Sequence, residues 1–377
     1  VNPPFDRGLL LRRLALVSAT ISVSLLVWFL FAMPTTLSVA VGPSNSPQYR
    51  FVQSIVRALK DARQSFRLRI VTVDGSQAAS SALDAHRADL AVLRSDDLSS
   101  TEARSLIVLQ RRSVVIVSRK DGGIAAFPDL RGKRVGLVES GGDPNRQVVE
   151  RLLEHHEMSR SDLQLSDVDP ARAAAALAGG ALDALILVSH PASGTTRRII
   201  SELSGQRGIP AAIIGIAAPE ALALRFRELE KSTIPAGVYG GSPQRPPEDL
   251  ETVAVSYELV GSSRLSDAKA TALTSALVEL RARLRRDNQR TSYDVETPPT
   301  DVARRFLPHA GTAAYVNDEQ AKTFLDTYSD QIWLTLFLLS LIGSSVMGFL
   351  SWVWARRSPE SRNLPGQLRA LARRLDV

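Results

Sequence analysis

The chain has 377 residues, 44% hydrophobic and 23% charged, with a formal net charge of +7 and no cysteine. This composition supports a globular core and excludes a disordered chain, a disulfide framework and a thiolate metal site. Residues 1–13 carry +2 and residues 355–377 carry +4, which leaves +1 for residues 34–331. The sequence pI of 9.9 therefore reports charge at the two ends, and the nucleic-acid partner that a basic chain invites is excluded.

In chain order, residues 14–33 (LALVSATISVSLLVWFLFAM) come first, twenty residues without a charge. At about 1.5 Å per residue they span about 30 Å as a helix, the thickness of a bilayer core. A cleaved signal peptide has a shorter apolar region, about 7 to 15 residues, and a small-x-small cleavage site. Here only Ser38-Val39-Ala40 offers such a site, and it falls inside a predicted strand. A second uncharged stretch, residues 332–354, has Trp333 at one end and Trp352 and Trp354 at the other, positions suited to the headgroup boundaries. Flanking arginines stay on the cytoplasmic side. The reading is thus a cytoplasmic N-terminus (1–13), a transmembrane helix (14–33), an extracytoplasmic domain (34–331), a second transmembrane helix (332–354) and a basic cytoplasmic tail (355–377). The lipid bilayer, met through two helices, is the first expected partner.

Between the two stretches, apolar runs rich in Val, Ile and Leu alternate with helical patterns, the signature of an α/β fold with largely parallel sheets. The runs predict strands at 37–41, 68–73, 90–93, 113–117, 134–138, 184–188 and 252–259. Helices are predicted over 47–63, 76–86, 146–157, 170–178, 218–230 and 266–288. Residues 82–93 (ALDAHRADLAVL) and 176–187 (ALAGGALDALIL) echo each other, as two similar lobes would.

An open α/β sheet binds its ligand beyond the carboxyl ends of its strands, so the loops there supply the candidate site. These are Ser44 and Asn45, with Tyr49 one turn on; Gly75 and Ser76; Ser140, Gly141, Gly142, Asp143 and Asn145. Each loop opens a helix, with Ser46 and Asp143 placed as N-caps and Pro47 and Pro144 in first turns. Free N–H groups at several helix starts facing one cleft make a site for a carboxylate. Arg94 and Ser95, at a strand end, add a cation and a hydroxyl, and His190 lies in the loop after residues 184–188. Catalysis finds little support. No Gly-x-Ser-x-Gly elbow, Walker loop or HExxH spacing occurs, the adjacent His155 and His156 diverge by about 100° on a helix, and Glu139 with Asp143 suits helix entry better than acid/base work. No cofactor is expected. The basic amphipathic run 277–286 (LVELRARLRR) reads as a solvated helix face.

The segment 233–241 (TIPAGVYGG), followed by a Pro-containing acidic stretch and the strand Thr252-Val253-Ala254-Val255, resembles the IPAG-x-Y-x-G segment and crossover strand of the TAXI class of solute-binding proteins of tripartite ATP-independent periplasmic (TRAP) transporters. Asp74-Gly75-Ser76, Ala88-Asp89-Leu90-Ala91 with Ser95-Asp96, residues 114–120, residues 129–135, residues 181–184 and Ser189-His190-Pro191-Ala192 fit in the same order. The likeness covers about residues 37–290. It implies a two-lobed type II periplasmic-binding-protein fold, with lobe one at about 37–117 and 253–331, lobe two at about 118–252, and two crossover strands as hinge. It adds Tyr239 to the ligand contacts. It implies a receptor, not an enzyme, that closes on a small organic acid or amino acid in the periplasm and delivers it to integral-membrane permease subunits; the family's receptors are usually free or singly anchored, whereas the two hydrophobic stretches here would hold the chain in the bacterial inner membrane. Two loops depart from the family pattern. Pro43-Ser44-Asn45-Ser46-Pro47 replaces a Gly-rich stretch with paired Tyr, and Ser140-Gly141-Gly142-Asp143 replaces Gly-Ser-Gly-Thr, so ligand specificity does not transfer. The alternative is a membrane-anchored sensor or scaffold with a degenerate cleft.

Overall fold

The chain opens with β1 (Thr35–Val41), α1 (Pro47–Asp61), β2 (Phe66–Thr72), α2 (Gly75–Asp84) and β3 (Leu90–Arg94), in a computed structural model that describes residues 35–97, 99–138, 145–206, 210–288, 292–300 and 304–317, with Trp333, Phe337, Ser340, Met347 and Gly348 beyond them. The three strands pair in parallel in the order β2-β1-β3. Side chains alternate across a strand. Val39 and Val41 accordingly enter the core beneath α1, while Ala40 enters a separate core beneath α2 on the other face. Helix α1 starts where Ser46 Oγ accepts the Tyr49 amide at 3.1 Å and Pro47 fills the first turn, and it buries Phe51, Ile55 and Leu59 at helical spacing.

The next strand, β4 (Ala103–Arg119), has 17 residues, too many for one lobe. Its apolar runs Leu106–Leu109 and Val114–Val117 flank Gln110, Arg111 and Arg112. Lobe two follows with β5 (Arg134–Val138), α3 (Asn145–His155), β6 (Gln164–Val168), α4 (Pro170–Ala178), β7 (Ala184–Ser189), α5 (Gly194–Gln206), β8 (Ala211–Ile214), α6 (Pro219–Arg225), β9 (Glu230–Ile234) and the small hairpin β10 (Gly240–Gly241) and β11 (Gln244–Arg245). Strand β12 (Leu250–Ser262) leads back to lobe one, which α7 (Asp267–Glu279), α8 (Arg281–Asp287) and α9 (Ala310–Val316) complete.

One sheet carries both lobes, in the order β2-β1-β3-β12-β4-β7-β5-β6, with β8 on β4 and β9 on β12. Within each lobe the outer strands are parallel, while β4 and β12 run antiparallel to their neighbours. Strand β12 pairs with β3 through Tyr257–Gly261 and with β9 through Leu250–Ala254, so each of its halves belongs to a different lobe. Two register shifts, at Tyr257/Glu258 and Leu259/Val260, interrupt its ladder with β4 and bend the pair locally. There Glu258 is fully buried, and accepts from Ser256 Oγ at 2.7 Å, Arg304 Nη2 at 2.7 Å and Ser105 Oγ. Burial pushes its carboxyl above the usual range, against the pull of Arg304. The molecule is therefore a mixed α/β, two-lobed, binding-protein-like fold.

Several elements differ from the sequence reading. Strand β4 extends ten residues upstream of Ser113, because its polar triplet lies at the lobe junction and does not end the strand. Helix α6 stops at Arg225, and Glu230 already opens β9. The helix expected over 266–288 is broken at Leu280 into α7 and α8. Strands β6, β8 and β9 were not predicted; β6 is mostly exposed and reads QLSDV, without an apolar run. Residues 14–33 lie outside the described residues, as does most of 332–354. In the latter, Trp333, Phe337 and Met347 are helical and exposed. Among the described residues no helix is long and apolar enough to cross a membrane.

Candidate functional site

Between the lobes lies a cleft of about 290 Å³. Lobe one supplies Pro47 and Arg50 from the first turn of α1, together with Ser292 and Tyr293; β4 supplies Gln110 and Arg112 at the junction. Lobe two supplies Val138 at the end of β5, Asn145 at the start of α3, Leu187 to His190 at the end of β7, and Ser193, Thr195 and Thr196 where α5 begins. Three helices thus turn their N-termini toward one space, each presenting backbone N–H groups without intrahelical acceptors. Arg50 and Arg112 add positive charge, and among the described residues the lining holds no carboxylate. Arg112 lies 5.2 Å over the Tyr257 ring and donates to Gln110 Oε1 at 3.3 Å; Tyr293 stacks on Phe51 at 5.2 Å, joining the cleft wall to the core of lobe one.

Among the described residues, His190 is the one imidazole in the lining. Its Nδ1 accepts the Ala192 amide at 3.1 Å, so the neutral ring carries its proton on Nε2. Burial pulls its pKa below 6.5, and Asp294 partly opposes this. The ring is therefore neutral at pH 7.

Of the expected contacts that lie among the described residues, the structure brings Asn145 and His190 to the cleft lining, and the others do not belong to it. Arg94 is 1% exposed at the end of β3. Its Nε and Nη2 donate to the two oxygens of Asp96, each at 2.6 Å, and its Nη1 donates to Asn145 Oδ1 at 2.8 Å. Ser95 Oγ donates to the Glu228 carbonyl at 2.7 Å and accepts the Ser256 amide at 3.1 Å. This pair therefore joins the lobes. Ser44 and Asn45 stand exposed on the β1–α1 loop, while Tyr49 packs against the core of lobe one. Gly75 has φ +84°, open to glycine without strain, and Ser76 Oγ donates to Asp97 Oδ2 within lobe one. Tyr239 is 2% exposed in the core of lobe two, where burial pushes its phenol well above the usual value. The segment that carries it is a hairpin: Tyr239 N donates to Arg245 O, Gly237 N to Pro246 O (both 2.9 Å), and Ala236 N to Asp249 Oδ1 at 2.8 Å. Ser140, Gly141, Gly142 and Asp143 lie outside the described residues.

The sequence reading missed Arg50, Gln110, Arg112, Thr195, Thr196 and Tyr293. Three of them left a signal. Gln110-Arg111-Arg112 interrupts an otherwise apolar β-run, and Arg50 falls one turn after a Ser-Pro helix start. A larger cavity, about 580 Å³, runs along α3 from Gln147 to Glu154 and is closed by Asp96, Met158, Arg160, Glu228 and Leu229. Its charges are matched: Arg151 pairs with Glu154 (3.1 Å) and Glu228 (2.8 Å), and Arg160 with Glu150 (3.7 Å). Among the described residues no cluster of His, Asp and Glu has the makings of a metal site.

Residues 49–318 match the NMT1-like family. Among solved structures, the chain is similar to XAC2383 from Xanthomonas citri bound to ATP (13% identity, 76% of this chain and 99% of that one, TM-score 0.46). It is also similar to the periplasmic aliphatic sulphonate binding protein SsuA from Escherichia coli (13%, 75% and 83%, TM-score 0.39). A histidine kinase sensor domain with similarity to periplasmic binding proteins matches as well (17%, 70% and 99%, TM-score 0.38).

Proposed function

The chain belongs to the NMT1-like family, and from that premise we propose that it is a solute receptor whose interlobe cleft takes a small organic anion, an organic acid or amino acid. One observation carries the reading. Three helix N-termini, Arg50 and Arg112 converge on a cavity of about 290 Å³. Backbone N–H groups and guanidinium both favour an anion and cannot serve a cation. A volume of this order suits a small solute.

In this reading residues 34–331 lie outside the cytoplasm of a bacterium, residues 14–33 and 332–354 anchor the chain in the inner membrane, and the receptor passes its solute to a TRAP-type permease. The charge at the two ends and the IPAG segment support that assignment. The reading is binding and not catalysis: among the described residues the cleft holds one histidine, and its Nδ1 is engaged by the Ala192 amide. Closure follows if the solute contacts both lobes, since a ligand shifts an equilibrium only by its differential affinity for the two states.

The test is thermal unfolding of the detergent-solubilised protein against small carboxylates, sulfonates, amino acids and sugars. A ligand that binds only the folded state raises the midpoint. A rise with one acid, lost in Arg112→Ala, is expected. A folded protein that responds to no compound sinks the receptor and leaves the anchored scaffold.

A further inference from the structure

Asn145 belongs both to the lobe junction and to the cleft. It is the first residue of α3 in lobe two, 2% exposed, and it lines the cleft. Its Oδ1 accepts from Arg94 of lobe one at 2.8 Å. A guanidinium has five donors and no acceptor, so the atom of Asn145 that meets it is the oxygen whichever way an amide is drawn. The planar amide then turns its NH2 away from Arg94. That NH2 donates to no other group among the described residues. Arg94 cannot swing aside, because both carboxylate oxygens of Asp96 hold it at 2.6 Å in a buried fork. The next residue repeats the crossing, with Ser95 Oγ on the Glu228 carbonyl at 2.7 Å.

We propose that Arg94 and Asp96 form a buried brace that joins the lobes and, in the same contact, holds the Asn145 amide with its NH2 presented to the cleft as a donor to the solute's anionic group. Arg94 is a positioning residue, not a ligand contact. Its charge is paired with Asp96 and it is 1% exposed, so among the described residues it meets the cleft lining through Asn145. Parting the lobes breaks the Arg94–Asn145 bond and releases the amide to rotate. The donor therefore exists in its oriented form only when the lobes are together, and closure and recognition become one event. The recognition half of this proposal rests on the receptor reading; the brace does not.

The chain contains no cysteine, so Arg57→Cys on α1 and Ser201→Cys on α5 give two clean sites for spin labels on the full-length protein in detergent. Interlobe distances are measured for this background and with Asn145→Ala and Asn145→Asp added. Aspartate still accepts from Arg94, so Asn145→Asp keeps the short distance, whereas Asn145→Ala broadens and lengthens it. Calorimetry with succinate and methanesulfonate completes the test. Asn145→Asp loses the donor and sets a carboxylate against the anion, so binding weakens about tenfold or more in a protein whose lobes remain together. Identical distance distributions in Asn145→Ala and the background overturn the brace. Unchanged affinity in Asn145→Asp overturns the oriented donor. A background protein that binds neither probe sinks the receptor reading, and the distances still decide the brace.

Discussion

Two cavities share helix α3, and they treat charge in opposite ways. The cleft at its first residue gathers Arg50, Arg112 and three helix N-termini, and among the described residues its lining holds no carboxylate. The groove along its side is twice as large, yet Asp96, Glu150, Glu154 and Glu228 are each met there by an arginine. Volume alone would choose the groove. Three helix N-termini converging beside Arg50 and Arg112 choose the cleft as the place for an anion, whereas the matched ion pairs of the groove explain themselves. The groove reads as the seam where α3 settles against the loop after β3.

That contrast can be broken by exchanging the two behaviours. Reversing Arg50 and Arg112 together to glutamate is expected to weaken binding of an acid probe about a hundredfold or more by calorimetry. Glu154→Lys in the groove should leave the same affinity within about twofold. Equal losses at both places would dissolve the distinction. Next in size is Arg151→Met. It strips Glu228, 11% exposed, of its partner, and should cost about 1–3 kcal/mol in denaturant unfolding with acid binding unchanged.

Protonation sharpens the comparison further. His190 sits below 6.5 through burial, and a bound anion draws that value up. Affinity should therefore rise a few-fold as pH falls from 8 toward 5.5, and His190→Gln should flatten the profile. Methanesulfonate is the probe, since it stays ionised throughout. Stability runs the other way. His156, His190 and His309 are each pulled below 6.5 by burial, so the unfolded chain takes up protons first. Stability is then full above about 6.5 and lost as pH falls through the histidine range, which thermal melts at pH 7.5 and 5.5 would register. The smallest effect belongs to Lys231→Ala, whose pairs with Glu220 and Glu251 lie at the surface; no resolvable shift of the thermal midpoint is expected.

The architecture was legible where hydrophobic periodicity is unambiguous. Strand β5 and helix α4 fall on the predicted residues, as do the starts of α1 and β7, because Ser46, Asp169 and two prolines mark helix starts chemically. It was illegible where context overrides pattern. Glu230–Ile234 reads EKSTI and becomes a strand only because β12 offers an edge. The site divides in the same way. Strand-end loops pointed to Asn145 and His190, yet Arg94 looked like a cation for a ligand, since nothing in sequence tells that Asp96, two residues away, will fold back onto it. Arg112 was hidden because a polar triplet inside a strand looks like the strand's end. Tyr239 entered through a motif, and the motif is a hairpin whose tyrosine fills a core.

The route of β4 and β12 through both lobes has a consequence for how the chain is made. Lobe two, with α3 to α6, is complete once β9 has emerged, except for the edge that β12 supplies. Lobe one is not, for the strand between β3 and β4 comes more than 150 residues downstream of β3, as the pairing of Leu90 with Gly261 shows. Domains fold as they are synthesised, and distant pairings close slowly. Strands β1 to β3 must therefore wait, with the apolar flank that β12 will cover still open, until the entire second lobe has left the ribosome.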